Sequence, residues 1–281
     1  MPLTAREESE VAAANAADAQ PVVFVHGLWM LAGSWDRWRA RFEERGYRTI
    51  AVDWPDDPPD REAALARPEA FAGKTVAQVA DHVAEVIQRL QRRKPVVIGH
   101  SFGGLMAQIV AGRALAAGAV AIDPAPFRGV LPLPLSTLKA SFPVLGNPLN
   151  RSKAVMLTLE QFTYGFANAV SADEARQLYE TYCVPAPGRP LFQAALANIN
   201  WRTECRVDTT QTARGPLLII SGERDHIVPT KVARAAQQRY KALPAELVEI
   251  PDRGHSLCID SGWEAVADTA LAFMERNGLT P

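Results

Sequence analysis

The most constraining feature of this sequence is a serine between two glycines, placed where one apolar run gives way to another. Residues 95–98 predict a short buried strand, and residues 105–111 predict a buried helix. Between them lies Gly99-His100-Ser101-Phe102-Gly103. A chain that passes from strand to helix in so few residues must turn sharply at the serine, which strains its backbone and exposes its hydroxyl. The pattern therefore predicts a nucleophile on a strand-to-helix turn.

Strand-length and helix-length apolar patterns alternate along the rest of the chain. The patterns predict strands at 22–25, 49–52, 95–99, 119–123, 217–221 and 246–250 and helices at 34–45, 75–90, 105–111, 230–241 and 261–276. Such alternation is typical of an α/β fold with a mostly parallel sheet and helices on both faces.

Three stretches interrupt this alternation. Residues 125–210 are Pro-rich and then patchily helical, and they are too long for a simple connection. We expect them to form a helical lid, inserted before the penultimate strand and over the carboxyl ends of the strands, where open α/β sheets bind ligands. Residues 1–20 predict a flexible N-terminal segment, and residues 56–74 predict an exposed loop. The core is then expected to comprise 21–124 and 211–281.

Charge and cysteine content narrow the range of partners. The chain has 30 Lys and Arg against 31 Asp and Glu, a net charge of −1, which gives no indication of a nucleic-acid or membrane-surface partner. No segment has the roughly 20 apolar residues of a membrane span, and residues 1–20 lack the apolar centre of a signal peptide. We therefore expect a cytoplasmic protein without membrane insertion. The sequence leaves its oligomeric state open.

The cysteines are odd in number and lack the spacing of a metal site or a disulfide framework. They are Cys183, Cys205 and Cys258. Cys258 follows His255 closely, so two interpretations stay open for it, a cysteine nucleophile or a small buried apolar residue.

Further signals occur at the ends of three other predicted strands. His26-Gly27 follows the first strand, Gly222-Glu223-Arg224-Asp225 the penultimate one and Gly254-His255 the last. With the serine turn, these signals make the chain resemble the α/β-hydrolase superfamily from residue 21 to the C-terminus. The resemblance implies the α/β-hydrolase fold. It also implies a catalytic triad in the order Ser…Asp…His.

The triad that the resemblance implies is Ser101, Asp225 and His255. Serine is a poor nucleophile without a neighbouring base, and imidazole titrates near neutral pH. An acid on the other ring nitrogen fixes the tautomer and stabilises the imidazolium. Asp123, which closes the strand after the serine helix, is an alternative acid because some superfamily members take it from that position. Asp225 is favoured because a strand followed by Gly-x-x-Asp is the commoner placement.

Two backbone N–H groups are expected to form the oxyanion hole. One belongs to Phe102, at the start of the helix after the nucleophile, and the other to Leu28, with Trp29 as the alternative. These three residues are also expected at the substrate-binding pocket. His26 and His100 are expected to bond to the backbone and shape their turns.

The residues around the serine turn exclude several chemistries within the superfamily. A serine in place of an aspartate argues against haloalkane dehalogenases and epoxide hydrolases, and the absence of a lysine beside His255 argues against hydroxynitrile lyases. No metal-binding spacing occurs, so neither a metal nor another cofactor is expected.

The resemblance thus implies a cofactor-independent serine hydrolase. Its substrate would be a small-molecule carboxylic ester or lactone with an apolar group, cleaved through an acyl-enzyme. A few of the large apolar side chains of the lid are expected to line the pocket; the candidates are Leu135, Phe142, Met156, Leu157, Phe162, Tyr164, Phe166 and Trp201. The alternatives are a perhydrolase or C–C bond hydrolase with the same triad, or a small-molecule binding protein with slow turnover.

Overall fold

The computed structural model describes residues 2–281. Their strands are β1 Pro21–Val25, β2 Arg48–Val52, β3 Val96–His100, β4 Gly118–Ile122, β5 Ala154–Val155, β6 Ala186–Pro187, β7 Leu217–Gly222 and β8 Glu246–Ile250. The α-helices are α1 Ala5–Ala16, α2 Asp36–Glu44, α3 Arg61–Ala66, α4 Val76–Gln88, α5 Phe102–Gly112, α6 Leu135–Leu145, α7 Leu159–Gly165, α8 Ala172–Tyr182, α9 Arg189–Ala195, α10 Thr230–Gln237 and α11 Trp263–Arg276. Short 3₁₀ helices cover Ala32–Trp35, Pro68–Phe71 and Pro148–Ser152.

Six of these strands form one parallel sheet in the order β2-β1-β3-β4-β7-β8. Every residue of β1, β3, β4 and β7 is buried, because helices cover both faces of the sheet. This confirms the α/β-hydrolase fold class. None of the described helices is both long enough and apolar enough to cross a bilayer.

The register of the central strands brings their carboxyl ends together. Val25 of β1 pairs with Gly99 of β3, while Ile122 of β4 pairs with both His100 and Ile220 of β7. The segments that follow these strands therefore leave the sheet at one edge. They contain the residues that the sequence singles out for chemistry.

The N-terminal segment differs from the expected flexible stretch, because residues 5–16 form helix α1. Thr4 and Glu7 close a capping box at its start. Oε1 of Glu7 accepts from the N–H of Asp53, and Oε2 of Glu10 accepts from the N–H of Ala51, each at 3.1 Å. Since β2 lies at the edge of the sheet, these carboxylates bond N–H groups that no further strand bonds. The helix is thus tied to the core.

The insertion, residues 125–210, lies between β4 and β7 and contains α6 to α9. It also contains the antiparallel pair of β5 and β6, which the sequence pattern does not predict. Residues 56–74 depart from an exposed loop as well: they form α3 and a 3₁₀ helix, and Phe71 there is buried.

Candidate active site

Ser101 occupies the strained turn between β3 and α5. Its backbone has φ 55° and ψ −118°, a region that costs a non-glycine residue roughly 1–3 kcal/mol. A Cβ on Gly99 would lie 2.0 Å from the carbonyl oxygen of Gly103, and a Cβ on Gly103 would lie 1.9 Å from that of Val25. Both glycines are needed because the turn is packed against its own helix and against β1. The sequence prediction of a strained turn is confirmed.

His255 lies fully buried after β8 and contacts Asp225. Its Nδ1 is 2.6 Å from Oδ2 of Asp225, and the ring nitrogen donates because a carboxylate oxygen accepts. Nε2 of His255 has no hydrogen-bond partner among residues 2–281. That nitrogen, left as an acceptor, is the one a general base uses.

Asp225 also stabilises the loop after β7. Its Oδ1 accepts from the N–H groups of Ile227 at 2.6 Å and Val228 at 2.9 Å. The residue therefore closes an Asx-type turn with one oxygen and orients His255 with the other. Because both oxygens are bonded, the carboxylate is held in place.

Asp123, the rival acid, is buried next to this pair but is bonded differently. Its Oδ1 accepts from the N–H of Gly222 at 2.8 Å, and its Oδ2 lies 3.9 Å from Nδ1 of His255, beyond hydrogen-bond distance. Burial, and next the negative charge of Asp225, raise the pKa of Asp123 well above its ordinary value. Asp123 therefore keeps its proton to higher pH than an ordinary aspartate does.

The expected oxyanion donors lie on two sides of Ser101. Within the described residues, neither the N–H of Phe102 nor that of Leu28 donates a hydrogen bond. A Cβ on Gly27 would lie 2.8 Å from Cβ of Ser101, so the loop that carries Leu28 contacts the serine. Trp29 has φ 63°, and its Nε1 donates to the carbonyl of Val155 in the insertion. Their role in an oxyanion hole stays a prediction.

Both turn histidines bond to the backbone. Nε2 of His100 donates to the carbonyl of His255 at 2.9 Å, and burial lowers the pKa of His100 well below its ordinary value. His100 is therefore neutral, and it holds the backbone of His255, the candidate base, by this hydrogen bond. Nδ1 of His26 lies 2.9 Å from the carbonyl oxygen of Gly27.

The sequence analysis did not identify two charged residues, Asp57 and Lys74, that lie next to His26 in the structure. Asp57 lies 3.2 Å from Nε2 of His26, and Nζ of Lys74 is 2.8 Å from the other oxygen of Asp57, with all three side chains buried. They support the loop that carries Leu28. They belong to the segment predicted as an exposed loop, where charged residues look solvated, so no local signal reveals the pair.

A cavity of about 170 Å³ opens beside Ser101. Phe102 lines it, as expected, but Leu28 and Trp29 do not, and neither does any of the large apolar side chains that the sequence put forward in the insertion. Its walls come mainly from 125–198, with no charged side chain among the described lining residues. The sequence favoured other large apolar side chains of the insertion. The structure instead lines the cavity with leucines, prolines and alanines, together with Phe102 and Phe127.

The remaining candidates lie outside this chemistry. Cys258 is 3% exposed, and burial raises the pKa of its thiol well above the ordinary value, so it is a poor nucleophile. Cys183 and Cys205 are buried and unpaired, with their thiol pKa values raised by burial to about 12. His100, Asp123 and His255 bring nitrogen and oxygen atoms within 4.8 Å of one another, a spacing at which such groups could hold a metal ion. Nδ1 of His255, however, already bonds Asp225.

Comparison with known proteins agrees with the observed fold. A sequence model described as the alpha/beta hydrolase family matches residues 22–269. A protein of Burkholderia pyrrocinia named non-heme chloroperoxidase is 30% identical over 284 aligned positions, which cover 92% of each chain.

Solved structures show the same fold at lower identity. An extracellular alpha/beta-hydrolase from a Paenibacillus species superposes with a TM-score of 0.68 at 17% identity, covering 90% of this chain and 98% of the other. A monoacylglycerol lipase of Paleococcus ferrophilus gives a TM-score of 0.63 at 20% identity, covering 90% and 93%. Polyneuridine aldehyde esterase gives 0.65 at 18% identity, covering 91% and 99%.

Proposed function

The chain belongs to the alpha/beta hydrolase family, and from this premise we propose that it is a cofactor-independent serine hydrolase. Its substrate would be a carboxylic ester or lactone with an apolar group. The observation that carries the proposal is the pairing of Asp225 with Nδ1 of His255 at 2.6 Å, which leaves Nε2 of His255 without a hydrogen-bond partner among the described residues, in a chain whose Ser101 occupies a strained strand-to-helix turn.

The reaction would proceed in two halves through an acyl-enzyme. The hydroxyl of Ser101 transfers its proton to Nε2 of His255 while its oxygen attacks the ester carbonyl, and the oxyanion accepts from the N–H groups of Phe102 and Leu28. The imidazolium, stabilised by Asp225, then protonates the leaving alcohol as the C–O bond breaks. A water molecule, deprotonated by His255, attacks the acyl group and releases the acid and the serine.

The cavity supports an apolar substrate. Besides Ser101, its polar side chains are those of Thr137, Ser141 and Asn198. Since no charge faces the cavity from the described residues, a charged acyl group would lose its hydration without compensation. The insertion thus acts as the lid that selects the substrate. We place the protein in the cytoplasm, with its three unpaired cysteines as support.

Replacement of the nucleophile tests the proposal. Ser101→Ala should lower kcat on a nitrophenyl ester by about 10⁵-fold or more, because the acyl-enzyme cannot form. Ser152→Ala, which changes an exposed serine outside the cavity, is the matched control and should keep its activity.

A fluorophosphonate probe supplies the second measurement. It should label the wild type at Ser101 and leave Ser101→Ala unlabelled. Full activity of Ser101→Ala, or labelling at another residue, would refute the assignment. Labelling without turnover on esters of any chain length would favour the binding-protein alternative.

A second candidate, the perhydrolase reaction, is favoured by the relative named non-heme chloroperoxidase. Hydrogen peroxide would then replace water in the second half, so that the acyl group of Ser101 leaves as a peracid and the serine regains its proton. Peracid formation, detected by oxidation of bromide with peroxide and a carboxylic ester present, should depend on Ser101. An unchanged rate in Ser101→Ala would exclude this candidate.

A further inference from the structure

The insertion carries most of the exposed large apolar side chains of the described residues. Ten such side chains are exposed, and nine of them lie between residues 131 and 201. Six lie near one another in the sequence, and we call them the apolar rim: Leu131, Leu133, Leu135, Leu138, Phe142 and Leu149. Soluble monomers rarely expose large contiguous apolar patches unless something docks there.

Part of the apolar rim lies at the Ser101 cavity. Leu131, Leu133 and Leu138 line that cavity and are themselves exposed. Leu135, which is 84% exposed, and Phe142, which is 70% exposed, lie with Leu138 on one face of α6 at spacings of three and seven residues. The outer face of α6 is thus continuous with the cavity mouth.

The segments that carry the rim and its neighbours have more basic than acidic residues. From residue 124 to residue 159 the sequence has no Asp or Glu but has Arg128, Lys139, Arg151 and Lys153. From 181 to 203 it again has no acid but has two arginines. None of these six basic residues forms an ion pair within 4.0 Å in the described part of the chain. The whole-chain charge of −1 conceals this local excess.

Three of the basic residues lie close to the helix that carries the rim. Arg151, Arg189 and Arg202 line a cavity of about 160 Å³ with Leu196 and with one acid, Glu204. Helix α9, which begins at Arg189, contacts α6 and also lines the Ser101 cavity. Exposed leucines and a mainly basic cavity therefore lie on neighbouring helices of the insertion.

This charge pattern decides between possible occupants. A second copy of the chain would bring two positively charged faces together, and the repulsion would oppose association. An anionic lipid surface instead supplies the opposite charge and accepts apolar side chains below its headgroups. Helices that lie in a bilayer interface combine the same two features, basic residues and an apolar face.

We propose that the apolar rim docks on an anionic lipid surface, with α6 lying in the interface and the Ser101 cavity opening toward the lipid. The docking needs no catalysis. Its consequence, that an ester enters from the lipid, rests on the proposed function. Because no described helix can span a bilayer, the association is peripheral and reversible.

Flotation of the full chain with lipid vesicles tests the docking. Binding should be stronger to vesicles of phosphatidylcholine with phosphatidylglycerol than to phosphatidylcholine alone, and should weaken as salt is added. The double variant Leu135→Ser/Phe142→Ser should lose at least about tenfold in vesicle binding, because it removes apolar groups that lipid would bury. Neither residue lines the Ser101 cavity, so hydrolysis of a soluble ester should not change.

Matched variants control for surface exposure and for charge. Leu65→Ser changes the one large exposed apolar residue that the structure describes outside the insertion, and it should bind as the wild type does. Arg151→Gln/Lys153→Gln should lose about tenfold in binding to the anionic vesicles. Arg45→Gln/Lys241→Gln removes two exposed charges outside the insertion, and its binding to the anionic vesicles should equal that of the wild type.

Ser101→Ala separates this inference from the proposed function. Its binding to anionic vesicles should equal that of the wild type even though its esterase activity is lost. Absence of wild-type flotation, or equal binding by Leu135→Ser/Phe142→Ser, would overturn the docking. So would a concentration-dependent dimer that Leu135→Ser/Phe142→Ser converts to monomer, since it would assign the rim to a second copy.

Discussion

Neighbouring strands β4 and β7 each end close to an aspartate, and the two aspartates have opposite roles. Asp225 follows β7, bonds His255 and accepts from two backbone N–H groups. Asp123 follows β4 and accepts from one N–H, while its second oxygen has no hydrogen-bond partner among residues 2–281. Both side chains are almost completely buried, so burial does not distinguish them.

The difference lies in how the negative charge is compensated. Hydrogen bonds to both oxygens stabilise a buried carboxylate, whereas a carboxyl group that lacks them and faces another aspartate keeps its proton. The raised pKa of Asp123 follows from its burial and from the charge of Asp225. The site therefore holds one aspartate that bonds His255 and, beside it, a second whose pKa is raised. Substitution of either aspartate tests whether the two residues differ in this way.

The largest effect is expected from Asp225→Asn. The variant cannot accept from Nδ1 of His255 in the same way, so the wrong tautomer is favoured and kcat should fall by about 10⁴-fold. Asp123→Asn is the matched control and should stay within about threefold of the wild type, because a neutral amide replaces a neutral acid. Ester hydrolysis under saturating substrate measures both. The reverse outcome would make Asp123 the catalytic acid.

A smaller effect is expected from adding Asp123→Asn to Asp225→Asn. Without the charge of Asp225, the pKa of Asp123 should fall, and its carboxylate, 3.9 Å from Nδ1 of His255, can then support the base. The double variant should lose about tenfold more activity than Asp225→Asn, which is 1.4 kcal/mol of activation free energy. Equal kcat values in the two variants would show that Asp123 gives no such support.

The smallest effect is a pH dependence of stability. The pKa of Asp123 is raised in the folded protein, whereas the unfolded chain releases the proton near its ordinary pKa of about 3.9. Between these two pKa values the folded state holds more protons, so wild-type stability falls as pH rises, by at most about 1.4 kcal/mol per pH unit. Asp123→Asn has no such proton and should gain stability over the wild type with increasing pH.

Urea unfolding across the pH range measures this gain. Asp18→Asn, which changes an exposed carboxyl group of the N-terminal segment, is the control and should show a smaller change with pH. If the difference in the free energy of unfolding between the wild type and Asp123→Asn does not vary with pH, Asp123 is ionised in the folded protein.

Much of the fold could be predicted because its signals are local, whereas the order of the candidate triad was implied by the resemblance to the α/β-hydrolase superfamily. A buried parallel strand requires a continuous apolar run, and the turn at Ser101 requires Gly99 and Gly103, where any side chain would collide with backbone. The docking of α1 could not be predicted in this way. Glu7 and Glu10 look like solvated residues, and the N–H groups that they bond, at Asp53 and Ala51, lie more than 40 residues away.

The sequence by itself determined the sheet, the strained serine turn and the residues that follow the strand ends, because steric limits and apolar periodicity act over a few residues. Only the tertiary structure decided which aspartate bonds His255, which side chains line the Ser101 cavity and which arginines meet in the second cavity of the insertion. Those properties depend on distance and burial between segments far apart in the chain. A pattern of neighbouring residues does not contain them.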